Sequence, residues 1–557
     1  MRRLILLLGL PVLLHAGWTE FRSGPFNVIT DAGDREAREV LAHLEQLRHT
    51  VGTLLGKPDA TSIWPIRIVL FRNSKDAARY AGPPLALARD ELVAAAVARQ
   101  PLPRELNRAV TRWIIESAAE ARMPDGIEQG LADLLSTIEV RATRVTIGAP
   151  LPPAERNREW ARLHMMATLP DYSGKVRVLL SNLQRGLDRE PAYKNAFEKT
   201  PAEMDKEVDA YLAAGNFQTA PFSGRPLDPE RQFRPREVDD QEAAIRLADL
   251  LLADSSKDGQ AAQACKAILN RNASCPEAHE CLGLLALRAG EMATARQELQ
   301  ASLSEENRSA RARLELALLT EDSARAKELF EAAAKLNPRW PDPYRLMAER
   351  EPNPNRKAGL LKQAASLARR DAALWRAYAE SLLPLNQFAE AGRAWLAAER
   401  ASVDENERAA IRQARLDIDV KRREHEEAER RRAAEEEARE LQKLKDELEA
   451  RVRAAEAKAN EGKSMPKGEI VQWWDGPETS KLEGTLQRVD CRGAQARLTL
   501  QSAEGKVVQL LIPRMNQVVV MGGPTTLACG PQRPAKRVKL EYVPKKPIGE
   551  VTIIEFQ

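Results

Sequence analysis

Between Asn107 and Asp133 the chain reads NRAVTRWIIESAAEARMPDGIEQGLAD, and the residues there whose types bear on metal or acid–base chemistry are Asn107, Arg108, Thr111 and Gln129. Positions four apart on a helix point the same way, so Asn107 and Thr111 share a face, Arg108 lies between them, and Gln129 opens the next helix after Pro124. Two neutral imidazoles at such positions grip one Zn²⁺ while an intervening Glu takes a proton from the bound water. Here the side chains are wrong for that work. Asn and Thr offer neutral oxygens, which zinc prefers far less than imidazole nitrogen, and Gln129 lacks a carboxylate charge. Arg108 puts a fixed positive charge beside any cation. The expectation is a site with no catalytic residue, no cofactor and no metal.

The spacing resembles that of the gluzincin zinc peptidases, whose pattern is HExxH on one helix, then a Pro, then an [ND]EGLAE start to the next helix. Aligned on Pro124 and on Glu128-Gln129-Gly130-Leu131-Ala132, the two ligand histidines fall on Asn107 and Thr111, the general base on Arg108 and the third ligand on Gln129. Downstream, Glu159 to Met166 resembles the helix, SWALxHxL in this group, that packs behind the metal, and Ala196–Thr200 and Tyr211–Phe217 resemble the close of the same domain. The resemblance implies a degenerate, peptidase-like α+β domain over 18–220. The plainer alternative is two amphipathic helices with an accidental spacing. His164 is the tempting replacement ligand, but a lone His between Leu163 and Met165 reads as a core histidine.

The elements that would position this motif can be read from periodicity. Phe26–Thr30 and Ile66–Phe71 read as strands, and Val40, Leu41, Leu44, Leu47, Val51 and Leu54 mark one face of a helix between them. Helices should fill 104–215. Pro221, Pro226, Pro229 and Pro235 then predict a linker over 221–240. Over 241–402 small and large residues recur in a helix-pair rhythm of ~34 residues, because each pair buries its apolar face only against its neighbours. Ala278, Leu282-Gly283, Ala286, Gly290, Ala293 and Ala295 resemble the tetratricopeptide pattern, with weaker units around Phe330–Pro338 and Trp375–Ala394. Such a solenoid presents a concave surface for a protein or peptide partner.

From 403 to 463 the composition turns to Arg, Glu, Ala and Lys, a charged helix or coiled coil. Ala434, Leu441, Leu448 and Ala455 share one heptad position, and Ala438, Lys445, Val452 and Ala459 the other, a weak seam that reads first as a spacer helix, with self-association as the alternative. Residues 464–557 alternate as short strands broken by Gly and Pro, a small antiparallel barrel or sandwich. Its GxLxxVDC and later strands resemble a module that accompanies exported bacterial tetratricopeptide proteins. Cys491 and Cys529, both at expected strand ends, are the disulfide candidate. Cys265, Cys275 and Cys281 show no CxxC pair and read as buried thiols.

Among 557 residues, 85 basic and 81 acidic side chains nearly cancel, so no whole-molecule field draws the protein to nucleic acid. Arg533, Lys536, Arg537, Lys539, Lys545 and Lys546 have only Tyr542 as a stacking platform and read as a solvated face. Met1-Arg2-Arg3, the apolar run Leu4–Leu14 and the exit His15-Ala16-Gly17 have the layout of a signal peptide over 1–17, with no later run long enough to span a membrane. The fold class is thus multidomain α+β, and the function an exported, non-catalytic scaffold of the periplasm or cell envelope. The competing expectations are an active metallopeptidase with an unconventional site and an envelope polymer-binding module.

Overall fold

A computed structural model describes residues 17–461 and 478–557, apart from 125, 142, 173, 305, 306 and 524–526. Residues 1–16, all but the last of the signal peptide expected over 1–17, lie outside this range. The chain divides into a unit ending at Ala438 and a second from Arg439 to Gln557.

The first unit is organised around a mixed sheet. Strands β1 (Trp18–Ser23) and β2 (Phe26–Thr30) form a hairpin, helix α1 (Asp34–Leu54) crosses over, and β3 (Ile66–Phe71) returns parallel to β2. After the short α2 (Ser74–Arg79), β4 (Ala86–Leu87) and β5 (Leu92–Val97) follow. Helices α3 (Arg104–Ala118) and α4 (Ile127–Ser136), the hairpin β6 (Glu139–Arg141) and β7 (Arg144–Ile147), and helices α5 (Arg158–Thr168), α6 (Lys175–Gln184), α7 (Arg189–Phe197) and α8 (Pro201–Ala214) complete the layer carrying the motif.

The linker expected at 221–240 is not one. Strand β8 (Ala220–Ser223) pairs with β7, α9 (Pro229–Gln232) is a single turn, and β9 (Arg236–Val238) pairs antiparallel with β1, giving the sheet order β4-β5-β3-β2-β1-β9. Proline bars a continuous helix but is compatible with an edge strand, and both segments lie at sheet edges.

Beyond β9 run helices α10 (Asp240–Leu252), α11 (Asp258–Arg271), α12 (Pro276–Ala289), α13 (Met292–Ala301), α14 (Ala310–Leu319), α15 (Ser323–Leu336), α16 (Asp342–Arg350), α17 (Pro354–Leu367), α18 (Ala372–Leu382) and α19 (Phe388–Ala401). Short turns join them and each packs on the next, giving five helix pairs among the described residues where three units were expected. Gly283 shows why small residues recur: a Cβ there would lie 2.7 Å from the Leu299 side chain of the paired helix. Cys265 and Cys281, expected as buried thiols, are joined across α11 and α12 with Cα atoms 6.6 Å apart, and Cys275 alone is free and buried. Their 16-residue separation hid this, because the helix turn, not the sequence, brings the two together.

Alternation along the strands explains how the array attaches. Ile66, Ile68 and Leu70 of β3 face α1 and the motif helices, while Val69 and Phe71, with Ile29 and Val93, share a core with Ala248, Leu251, Cys265 and Leu284 of the array. The sheet is therefore covered on both faces, which is why β3 reads as a continuous apolar run broken only by Arg67. The amino-terminal region and the first repeats thus share one core, where separate domains were expected. Helix α20 (Glu405–Asn460) begins packed, with Ile411 and Ile418 buried among α18 and α19.

The second unit includes a small barrel of β10 (Ser480–Arg492), β11 (Gln495–Ser502), β12 (Val507–Ile512), β13 (Val519–Met521), β14 (Gly530–Val543) and β15 (Glu550–Phe556). Strand order is β12-β11-β10-β14-β15-β13, and β12 also pairs with β15 to close the ring. The pairings of β15 with β12 and β13 are parallel, so the expected all-antiparallel module is a mixed one. Cys491 and Cys529 are bonded, with Cα atoms 5.7 Å apart. Among the described residues no helix is long and apolar enough to cross a membrane.

Candidate functional site

Asn107 and Thr111 lie on the buried side of α3, at 2 % and 0 % exposure. The Asn107 amide donates to the Ser136 carbonyl at 3.2 Å, which leaves its oxygen to accept from Nε2 of His43 at 3.1 Å. Burial holds the His43 pKa below its ordinary value, so the ring is a neutral donor here. Arg108 places Nε 2.6 Å from Oδ1 of Asp133 and a terminal nitrogen 3.4 Å from Glu155. Gln129 donates to the other oxygen of Asp133 at 2.9 Å and accepts from Arg112. The structure therefore joins Arg108 and Gln129 on one carboxylate, whereas Asn107 bonds elsewhere and the Thr111 hydroxyl has no hydrogen-bond partner among the described residues.

What has formed at these positions is an ionic brace. Arg104, Arg108 and Arg112 recur four residues apart along α3, and Arg104 grips Glu155 at 2.7 and 3.1 Å, a contact that holds the Glu155 carboxyl below its usual range. Asp133, Glu155 and His43 were not singled out from the sequence. The arginine spacing was the signal available. Among the described residues no group of three His, Cys, Asp or Glu side chains gathers closely enough to hold a metal ion. His164 is bonded at 2.8 Å to both the Gly148 carbonyl and the Tyr211 hydroxyl, the satisfied core histidine expected.

A second cluster lies where the sheet meets the array. Asp249 of α10 receives Arg89 at 2.8 and 3.0 Å, with Arg67 at 3.6 Å and Arg246 at 3.8 Å. Burial pulls Arg67 down to about 10, still charged at neutral pH. Asp90, next in the chain to Arg89, accepts the backbone N–H groups of Ala310 at 2.6 Å and Arg311 at 3.0 Å, capping α14 from outside the array. Glu280 of α12 is the group left short of charge. It has Arg89 only at 3.4 Å, the Ser309 hydroxyl at 2.5 Å and Asn307 at 3.4 Å, with Asp90 and Asp249 nearby, and burial pushes its carboxyl up to about 7.

The sign of that shift gives a prediction. A carboxyl whose folded pKa exceeds its unfolded value contributes stability in full below the unfolded value near 4.5 and loses it as pH rises to about 7. Glu280→Gln stays neutral throughout. Its stability relative to wild type should therefore rise between pH 5 and 7, read as the difference of two urea-unfolding series, in which the buried histidines cancel.

Further along, the same edge of the array stays on the motif layer. Trp340 packs on Trp64 with ring centroids 5.0 Å apart, and Asn337 donates to the Ile63 carbonyl. Arg370, 5 % exposed, pairs with Glu116 of α3 and Glu128 of α4, and Arg408 with Asp188. Part of the repeat surface over 241–402, expected to take a partner, is thus occupied by the chain's own amino-terminal layer. A groove of about 760 Å³ lined by array residues alone remains, with Phe330, Met347 and Leu360 beneath Lys327, Arg350 and Arg356.

No family model and no curated protein matches the chain. Among solved structures, YrrB, described as a TPR protein with an unusual peptide-binding site, is 12 % identical and spans 31 % of this chain and 92 % of its own, with a TM-score of 0.26. PilF of Pseudomonas aeruginosa is 16 % identical over 33 % of this chain and 86 % of its own, at 0.28. TTC0263, a thermophilic TPR protein of Thermus thermophilus, is 19 % identical over 32 % and 99 %, at 0.22.

Proposed function

We propose that the protein is an exported, non-catalytic scaffold of the bacterial envelope, in which a degenerate peptidase-like layer is held by a tetratricopeptide-like array that takes a protein or peptide partner. The observation that carries the non-catalytic reading is the Asp133 carboxylate: Arg108 and Gln129, which stand at the base and third-ligand positions, are both engaged on it. A guanidinium in an ion pair cannot accept a proton from water, and a fixed cation there opposes a metal. Support for binding comes from the groove around Phe330, Met347 and Leu360, where Arg350 lies 5.0 Å over the Phe330 ring. Export and an envelope location rest on the leader-like residues 1–17.

After dialysis against trace zinc, the purified protein is expected to hold no stoichiometric metal and to cleave no peptide. Tight one-to-one zinc would overturn the proposal. Partner capture from envelope extract by the full chain should fall at least about tenfold in Leu360→Glu, since a charge replaces an apolar wall of the groove. Unchanged capture would remove the groove from the reading.

A further inference from the structure

Beyond Ala438, helix α20 carries an apolar stripe that no described residue of the second unit covers. Leu441, Leu444, Leu448 and Val452 are 53 %, 55 %, 52 % and 55 % exposed. They are not scattered. Leu441, Leu448 and Ala455 fall at one position of a seven-residue repeat and Lys445, Val452 and Ala459 at the other, with Leu444 flanking Lys445. A stripe of period 3.5 stays aligned only with another helix of the same period wound around it.

From this we infer that α20 pairs with α20 of a second copy, parallel and in register, along Leu441–Ala459. Three features favour that occupant. Leu at the position occupied by 441 and 448, with Val452 at the other, is the side-chain choice of two-stranded parallel coils. In that arrangement the residue before each Lys445-type position faces the partner's residue five further on, so Arg451 of one copy meets Glu456 of the other. An antiparallel pair would instead set the flank holding Glu449 and Glu456 against its own acidic equivalents. Third, Lys445 inside the seam fits one register well: each Lys lies opposite its counterpart, where the long stem covers Leu444 and the ammonium reaches solvent. Any slip by a heptad would bury it against Val452 or Ala438 alone, so the one polar layer selects alignment at a cost in affinity.

Sedimentation of the full chain over a hundredfold concentration range, up to roughly 100 µM, is expected to show a monomer–dimer equilibrium. Leu441→Asp with Leu448→Asp should raise the dissociation constant by about a hundredfold or more, because four apolar side chains per dimer lose their burial. Both sites are solvent-exposed in one copy, so the variant's unfolding midpoint at low concentration should match wild type. Lys445→Leu should tighten the dimer. Val452→Cys reports the geometry: under mild oxidation it should form a covalent dimer, since residue 452 meets its own copy only in the parallel, in-register pair. A wild type that stays monomeric at the highest concentration, or a dimer indifferent to the double aspartate change, would overturn the inference. Dimerisation of the Val452→Cys variant without cross-linking would overturn the parallel register.

Discussion

Asp249→Asn is expected to destabilise the first unit by about 3–5 kcal/mol, the cost of leaving a buried charge without its partner. The asparagine keeps the size and one oxygen but removes the charge that Arg89 holds with two hydrogen bonds and that Arg67 and Arg246 also face. Burial alone would push the Asp249 carboxyl up, yet Arg89, Arg246 and Arg67 together hold it below its ordinary range, so its charged form is the favoured one at neutral pH. Urea unfolding followed by helical circular dichroism would show the loss as a shifted midpoint. Asp254→Asn, on an exposed carboxylate that serves a local turn, should move the same midpoint far less. Equal shifts for the two would mean that the cluster does not hold the sheet to the array.

Gly130→Ala should also be costly, although alanine is intrinsically the better helix former by roughly 1 kcal/mol. A Cβ at 130 would lie 2.2 Å from the Glu159 carbonyl oxygen and 2.8 Å from its carbon, so the backbone of α5 would have to move away from α4. Overpacking of this kind costs typically about 1–3 kcal/mol, and here the obstacle is main chain, which cannot rotate aside. The net expectation, with the cost at the upper end of that range, is a loss of about 2 kcal/mol, measured as thermal or urea midpoint. Gly359→Ala on α17 is the internal control, because its Cβ would meet nothing within 4 Å and the change should stabilise slightly. If both glycines tolerate alanine, α4 and α5 approach less closely than the Gly130 contact requires.

The contrast between Gly130 and Asp133 shows what a reader of the sequence can and cannot reach. Gly130 sits in a short motif with fixed neighbours, so its helix, its position near the start and its companions Asn107, Arg108 and Thr111 follow from spacing. Asp133 does not announce itself, since an Asp on an amphipathic helix is ordinarily solvated. Gln129 reaches one of its oxygens from a turn earlier on α4, but only the tertiary meeting of α3 and α4 puts Arg108 on the other. The same difference separates the helix pairs, whose local rhythm is legible, from the sharing of one core between Val69, Phe71 and the repeats, which depends on residues some 180 positions apart. Edge strands such as Arg236–Val238 are too short to show a period of their own. Their identity comes from the partner strand, here Trp18–Glu20.

Strand β9 and helix α10 have a consequence for how the chain is made. The face of the sheet formed by Ile29, Val69, Phe71 and Val93 is covered by side chains from Val238 to Leu285, and the free edge of β1 is closed by Arg236–Val238. At about 5–20 residues per second, translation leaves several seconds or more between the synthesis of β5 and that of α10. Through that interval the nascent amino-terminal layer carries an apolar sheet face and an open strand edge, the two features that most invite mispairing with neighbouring chains. A fragment ending at 220 should therefore precipitate at concentrations where the chain extended through residue 438 stays in solution.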